Sequence, residues 1–420
     1  MAGNPRRKIS DSKMKKWILK KTALRRFESG HPWVFSNELE SVKGIEKGEV
    51  VDLHDRSGSF LARGFGNSAS LIAFRSLGPI KKEIDGEWLA QKISERRDLR
   101  EKLGLRGSRR ILHGEVDGTP GLVLDEFRSG SNLFWVFHIH SAGMERLFQQ
   151  FTLAQLKEKF SHITELQSLI VRRDSRSREL EGLDLREVEV EGKLSSEVKI
   201  EVDQGELVPF FVSFTEGQKG GFFLDQRKNV EWLRNLIKYS KFETPSPKIL
   251  DAFCYCGQWG LGLARELQLK NLKPQVTFSD ASESALQAAL KNASQFQIEA
   301  DKTKLDLVES EWPWSNMFDF VVCDPAALIK SKKHYFAGRR AYLKVFTRSL
   351  KALKSKGIFV FSSCSFHLSK SELAELLKEA QLASGCQTRI LHEFSLPPDH
   401  LRSSNFPEGD YLKGLIGVRE

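Results

Sequence analysis

Two side chains in this sequence carry the elements of covalent chemistry: the thiol of Cys364 and the carboxylate of Asp324. Cys364 closes the run Gly357-Ile-Phe-Val-Phe-Ser-Ser-Cys-Ser365, and forty positions earlier Asp324-Pro325 closes Phe318-Asp-Phe-Val-Val-Cys-Asp324. Each run is short, apolar and rich in β-branched and aromatic residues, as buried parallel strands are, and each stops abruptly on polar residues. In an open α/β sheet ligands sit outside the carboxyl ends of the strands, so a nucleophile and an acid at two such ends belong to one cleft. A cysteine attacks as the thiolate, which a polar strand end tolerates and an apolar interior does not. Cys323 lies inside an apolar strand, and Cys254 and Cys256 flank a glycine turn, where the default role is that of a buried small hydrophobe.

The elements that must position this pair are strands alternating with helices from about Glu206 onward, the pattern of a doubly wound parallel sheet. Lys248-Ile-Leu-Asp-Ala-Phe-Cys254 reads as a buried strand, followed by a turn with Gly257 and Gly260 and a helix over Leu261 to Leu269. Gln275-Val-Thr-Phe-Ser-Asp280 is the second strand, and Ser282 caps a helix running to Asn292. A strand, a glycine turn opening a helix, and an acid ending the next strand form a nucleoside-binding arrangement. The backbone approaches the ligand at the glycine, and the second-strand carboxylate accepts the two ribose hydroxyls. Asp280, twenty-nine residues after Asp251, fills that role with Ala281 beside it, while Phe253, Tyr255 and Gly257 form the turn. Asp251 is placed to hold an ammonium group through charge-assisted hydrogen bonds.

Gly257-Gln-Trp-Gly260 lacks the third glycine that favours a pyrophosphate, and Trp259 would crowd one. S-adenosylmethionine, with an adenosine and a zwitterionic tail but no phosphate, is therefore the expected cofactor, and a nicotinamide dinucleotide is disfavoured. Leu305-Asp-Leu-Val-Glu-Ser-Glu311 alternates as a third strand would and ends on Glu311, a candidate cofactor contact, with Asp301 or Asp306 chosen under a different register. No Cys-x-x-Cys or His/Cys cluster has metal-ligand spacing, so no metal is expected.

Upstream, Trp17 to Leu77 reads as short strands punctuated by Gly44, Gly48, Gly58, Gly64 and Gly66, as in a small, strongly bent β barrel. A helix near Trp88 to Leu103 follows, with Leu89, Ile93, Leu99 and Leu103 toward one face and Arg96, Arg97, Arg100 and Lys102 on the other, which reads as a solvated helix face or, as the alternative, a continuation of a basic surface. Arg110 to Asp125 reads as strand, Gly/Pro turn and strand. Leu183 to Val202 alternates apolar and charged residues like a solvent-facing β hairpin, so the middle region is mixed α/β.

His31-Pro-Trp-Val-Phe-Ser36, Lys47-Gly-Glu-Val-Val-Asp-Leu53 and Gly58-Ser-Phe-Leu-Ala-Arg-Gly64 resemble the PUA domain that opens one family of bacterial ribosomal RNA methyltransferases. Arg110 to Asp125 is similar to the central-domain signature of that family. Gly217-Gln-Lys-Gly-Gly-Phe-Phe-Leu-Asp-Gln-Arg-Lys-Asn229 resembles the motif before its first sheet strand, which implies that Asp225, Gln226 and Arg227 border the methionine end of the cofactor. Ser363-Cys364-Ser365 matches its cytosine-5 cysteine motif, and Asp399-His400 with Phe406-Pro-Glu-Gly-Asp-Tyr-Leu-Lys413 resembles its ending. The loop after Asp324 departs from the pattern: Asp324-Pro325-Ala326-Ala327-Leu328 stands where the family has Asp-Pro-Pro, a small residue and Phe.

The resemblance implies an α/β chain with a basic tail at 1–16, a PUA-like RNA-binding β barrel at 17–78, a central α/β domain with a β hairpin at 79–205, and a Rossmann-like class I methyltransferase domain at 206–420. It implies that Cys364 adds to C6 of cytosine while Asp324 hydrogen-bonds the pyrimidine near N3 and also borders the cofactor, and that Glu311 lies beside the adenine. Two other readings stand beside this one: a guanine-nitrogen methyltransferase, which needs no thiolate, and an RNA-binding protein that keeps the fold without turnover.

Composition agrees with a nucleic-acid partner. The 420 residues carry a formal net charge of +10, and Met1 to Arg26 holds ten Lys or Arg against the single acid Asp11. Such a concentration of positive charge attracts polyanions through counterion release. Lys330, Lys332, Lys333, Arg339 and Arg340 add cations just after Asp324, where RNA phosphates would pass. No apolar run approaches the roughly 18 residues of a membrane span, so no membrane association is expected. Five scattered cysteines suit a reducing cytoplasm, the basic N-terminus leaves an organellar transit peptide as the alternative, and a homodimer is left open.

Overall fold

A computed structural model of the chain describes residues 14–216 and 219–420. The first thirteen residues of the basic tail, and Gly217 and Gln218 of the glycine motif, lie outside the described residues. The N-terminal region holds strands β1 (Lys16–Ile18), β2 (Trp33–Phe35), β3 (Glu49–His54), β4 (Phe60–Gly66) and β5 (Ile72–Gly78), with helix α1 (Lys21–Glu28) between the first two. They form one sheet in the order β1-β3-β4-β5-β2, and a bridge between Leu19 and Leu39 draws its two edges together. The expected small, bent β unit is present. Gly64 and Gly66 are required within it because a side chain at either would strike Phe74 or Ile45.

The central region opens with α2 (Gly86–Lys102), N-capped by Asp85, whose carboxylate accepts the Trp88 amide at 2.9 Å. Strands β6 (Arg109–His113), β7 (Leu122–Ser129) and β8 (Asn132–Ile139) precede the short helices α3 (Ala142–Phe148) and α4 (Leu153–Glu158), then β9 (Leu166–Arg173) and β10 (Arg186–Gly192). These strands form a five-stranded sheet in the order β10-β9-β8-β7-β6. The hairpin expected over Leu183 to Val202 does not form. Its first half is β10, the edge strand beside β9, and its second half is β11 (Val198–Asp203), which pairs with β12 (Leu207–Val212). Alternation marks any half-buried strand and does not name its partner, so two consecutive alternating strands looked like a pair.

The arginines of α2 fit neither a solvated face nor a basic surface. Arg100 is fully buried and forms a fork on Asp117 at 2.9 and 2.6 Å, Arg97 pairs with Glu126, and Arg96 pairs with Asp117. Side chains that read as exposed cations instead tie α2 to the central sheet.

The C-terminal region runs through α5 (Arg227–Tyr239), β13 (Lys248–Ala252), α6 (Gln258–Leu269), β14 (Gln275–Asp280), α7 (Glu283–Ser294), β15 (Glu299–Lys304), β16 (Phe318–Cys323), α8 (Tyr335–Ala352), β17 (Leu353–Ser363), α9 (Lys370–Ser384), β18 (Thr388–Ser395) and β19 (Lys413–Arg419). Its seven strands lie in the order β15-β14-β13-β16-β17-β19-β18, parallel from β15 through β17 and antiparallel at β19 and β18. Strand order reverses between β13 and β16, the switch point at which α/β sheets bind ligands. The expected boundary at 205 and 206 falls inside the β11–β12 hairpin. Phe210, Phe214 and Val212 of that hairpin share one apolar core with Phe127 and Val136 of the central sheet and with Val230 and Leu261 beyond it.

Candidate active site

The loop that leaves β13 is shaped for close approach. Phe253 and Tyr255 both adopt left-handed backbone angles, with φ of 63° and 48°, and Gly257 follows at 83° as the N-cap of α6. Two bulky residues in that region represent local strain held by the surroundings, a feature of ligand-gripping loops. The Phe253 amide, donating to the Ser279 carbonyl at 2.8 Å, anchors the loop to β14. Asp251 is buried, and one of its oxygens accepts the Gly260 amide at 2.8 Å. Burial pushes its carboxyl well above the ordinary range, and the neighbouring Asp324 and Asp280 push in the same direction. A cationic ligand at this point would relieve that strain on the charged form. Asp280 ends β14, with its oxygens accepting the Ser282 amide at 2.9 Å and the Tyr255 amide at 3.3 Å, and Ala281 follows at the mouth.

Asp324 and Cys364 lie across the switch point. Strands β16 and β17 are parallel neighbours in register Cys323 to Phe361, so Asp324 and Cys364 leave the same end of the sheet. Asp324 is clamped. Gln226 Nε2 donates to its two oxygens at 3.1 and 3.0 Å and to Ser362 Oγ at 3.0 Å, and Trp259 Nε1 donates to Asp324 Oδ2 at 3.2 Å. Cys364 is half-buried, and its Sγ lies 3.9 Å from the Pro325 carbonyl. The other four cysteines are buried, and burial pushes the Cys256 thiol up to about 12.

One buried hydroxyl stitches the two loops together. Tyr342 of α8 accepts Ser363 Oγ at 2.8 Å and the Leu328 amide at 3.4 Å, and lies 2.9 Å from Ser365 Oγ, which itself accepts the Ile329 amide at 3.1 Å. The serines beside Cys364 are thus supports turned inward, and sequence reasoning missed their partner because Tyr342 is one aromatic among several on an ordinary amphipathic helix. Lys413, paired across the sheet with Ser363, donates to the carbonyls of Ser365 and Leu368 at 2.8 and 2.7 Å, and burial lowers its ammonium to about 8.

Two segments of the chain match family descriptions: a PUA-like domain over residues 18–78 and a methyltransferase domain over residues 243–396. The ribosomal RNA large subunit methyltransferase I of Aeromonas hydrophila is 31% identical over 410 residues, covering 94% of this chain and 96% of that protein. The chain belongs to that family. The same enzyme of Tolumonas auensis is 30% identical over 410 residues, with coverage of 94% and 96%. In solved structures the fold recurs in SMU.776 complexed with SAH, at a TM-score of 0.74 with 15% identity, over 96% of this chain and all of that one. S-adenosylmethionine is the methyl donor of this methyltransferase I family member.

Against that background, one sequence-predicted position, Glu311, is corrected and three, Arg227, Gln226 and Asp225, are redefined. The third strand is β15, which ends at Lys304, so Glu311 ends no strand. Its side chain is 89% exposed and paired with Arg348 of α8. Alternating residues at 305–311 mimicked a strand, but the acid nearest the true strand end is Asp306, whose carboxylate accepts the amides of Val308 and Glu309 at 3.0 Å each. Arg227 is fully buried and ion-paired with Asp399 at 3.0 Å. Burial alone would raise the Asp399 carboxyl, but Arg227 and His400 hold it well below the ordinary range. Gln226 serves Asp324 directly, and Asp225 accepts the Tyr411 hydroxyl at 2.7 Å.

The tail motif is likewise structural. Asp399 accepts the Arg110 amide at 2.9 Å, and its carbonyl accepts Arg100 at 2.9 Å, which joins the central and C-terminal regions. Of the cations after Asp324, Arg339 forks onto Glu379 of α9, whereas Lys330, Lys332, Lys333 and Arg340 are exposed. No helix among the described residues is long and apolar enough to cross a membrane, and no group of metal-ligating side chains occurs among them.

Proposed function

We propose that this S-adenosylmethionine-dependent ribosomal RNA methyltransferase forms 5-methylcytosine in large-subunit RNA through a covalent bond between Cys364 and C6 of the base. The observation that carries this reading is the half-buried thiol of Cys364 beside the clamped carboxylate of Asp324, in a protein whose other four thiols are buried. Carbon 5 of cytosine is a poor nucleophile until a thiolate adds at C6. The Cys364 sulfur forms the C6 bond, and the C5–C6 π electrons become available at C5. Asp324, held by Gln226 and Trp259, hydrogen-bonds the pyrimidine near N3 and stabilises the charge that develops there. S-adenosylmethionine supplies the methyl group that C5 takes as the sulfonium–carbon bond breaks. Loss of the C5 proton then restores the double bond and expels the Cys364 thiolate.

In this reading Asp280 accepts the ribose hydroxyls, Asp251 and Asp225 face the ammonium end, and the Phe253 to Gly257 loop with Ala281 encloses the adenosine. Asp306 replaces Glu311 as the acid beside the adenine. The target base leaves its stack to reach the strand ends, as base-modifying enzymes require, and the PUA-like region with the basic tail holds the RNA. Five cysteines outside any disulfide suit a reducing cytoplasmic setting. The test is Cys364→Ala assayed on undermodified ribosomal RNA with nucleoside analysis of the product. Loss of 5-methylcytosine with unchanged cofactor affinity is expected, and full activity in that variant would exclude the covalent route.

A further inference from the structure

A second cavity adjoins the cleft. It has a volume of about 520 Å³ and lies where the PUA-like sheet, the central sheet and the C-terminal tail meet. Trp33 from β2 and Phe406 from the tail form its aromatic floor, edge to face at 4.8 Å, and the exposed side chains of Leu71 and Leu180 stand at its mouth. Tyr411 is the wall it shares with the cleft, because that ring lines the cavity while its hydroxyl donates to Asp225.

The charge of the lining selects what can enter. The lining carries three carboxylates, Glu115, Glu181 and Glu408, and one cation, Arg75, which bonds Glu115 at 2.7 Å and Glu181 at 2.9 Å, while Glu408 pairs with His31 at 3.4 Å. His113 and His140 are uncharged at neutral pH, since burial lowers the first well below the usual imidazole range and the second to about 4. One cation against three carboxylates repels a phosphate. An uncharged aromatic group bearing amino donors is accepted, by contact with the rings and by hydrogen bonding to the carboxylates. Phosphate-compatible lining lies on the other side of the same tail, where Lys370, Arg402 and Lys413 border a separate cavity of about 530 Å³.

We infer that the Trp33–Phe406 cavity receives an unpaired RNA base flanking the methylated nucleotide, with its amino edge toward Glu115. The inference rests on the RNA methyltransferase reading and adds to it a substrate-recognition site built from all three regions. Because Trp33 comes from the PUA-like sheet and Tyr411 from the end of the chain, the site requires the three regions to be assembled.

The test uses the full chain and substrate RNA in which a photoreactive thiolated base replaces, one at a time, each nucleotide near the target. One flanking position should cross-link to a peptide containing Trp33, Leu71, Leu180 or Phe406. Trp33→Ala should abolish that cross-link and lower kcat/KM for RNA about tenfold, with S-adenosylmethionine affinity unchanged as the control for folding. Cross-links that map elsewhere from every position overturn the inference. Nucleoside analysis of the same reactions judges the chemistry separately. Formation of 5-methylcytosine without these cross-links removes the cavity and keeps the covalent reading, whereas these cross-links with a different methylated base keep the cavity and remove the cytosine-C5 reading.

Discussion

Replacing Tyr342 with phenylalanine isolates the device that holds the loop of Cys364, the proposed nucleophile. The ring is fully buried on α8, so Tyr342→Phe leaves shape and apolar contact intact and removes one hydroxyl. That hydroxyl has three partners, Ser363 Oγ at 2.8 Å, Ser365 Oγ at 2.9 Å and the Leu328 amide at 3.4 Å. Each short hydrogen bond contributes about 1 kcal/mol net, and the 3.4 Å contact contributes less. Ser363 Oγ still accepts the Ser365 amide, and Ser365 Oγ still accepts the Ile329 amide, so each serine keeps one partner. The expected loss is therefore about 2 kcal/mol of stability, read as a shift of the denaturation midpoint at constant slope. Freed from this tie, the Asp324 and Cys364 loops lose their fixed spacing, and displacement of a reacting group by about 1 Å costs on the order of a hundredfold in rate. Single-turnover methyl transfer should fall between tenfold and about a hundredfold, with S-adenosylmethionine affinity unchanged. Wild-type turnover in a stably folded Tyr342→Phe protein would refute the claim that the hydroxyl positions the nucleophile.

Three further perturbations probe other parts of the site. Gln226→Ala removes the donor to both Asp324 oxygens and should lower kcat about tenfold or more with a small change in KM for RNA; an unchanged kcat contradicts the clamp. Asp280→Ala should weaken S-adenosylmethionine binding by at least about tenfold by calorimetry, whereas Glu311→Ala, at an 89% exposed side chain, should leave it unaltered; the reverse order would restore Glu311 to the cofactor site. Burial lowers His138 to about 3 and His140 to about 4 in the folded protein, below the unfolded value of about 6.5. The unfolded chain binds these protons first, so their contribution is complete above about pH 6.5 and is lost as pH falls toward 4, at up to about 1.4 kcal/mol per pH unit for each imidazole. His138→Gln should flatten the stability profile between pH 6 and 4, and an unchanged slope would contradict the buried neutral state.

The strands that end at Asp251, Asp280, Asp324 and Cys364 were legible because buried parallel strands are short apolar runs with polar stops, and each of these was bounded by turn residues. Glu311 was misplaced because alternation over 305–311 satisfies a strand pattern without a neighbour to pair with, while the actual β15, Glu299–Lys304, is an edge strand of mostly exposed charged residues. The β10 and β11 strands were found and their partners were not, since pairing is a property of the folded sheet. The arginines of α2 and Arg227 read as solvent- or ligand-facing cations because the acids that bury them, Asp117, Glu126 and Asp399, lie 17 or more residues away or, for Asp399, at the far end of the chain. Tyr342, Trp259 and Ser362 carry no local signal, and their roles exist through contacts that only the fold creates. The divergent Asp324-Pro-Ala-Ala-Leu loop keeps its acid fixed because these donors come from α6 and from the chain before α5 rather than from the loop itself.

The central claim is that Cys364 bonds to the base. RNA carrying 5-fluorocytosine at the target position cannot release the C5 substituent as a proton, so the covalent complex should accumulate with S-adenosylmethionine present. Mass spectrometry of the digested complex should then show a methylated 5-fluorocytidine on the peptide containing Cys364. An active preparation that yields no adduct, or an adduct on another residue, contradicts the account.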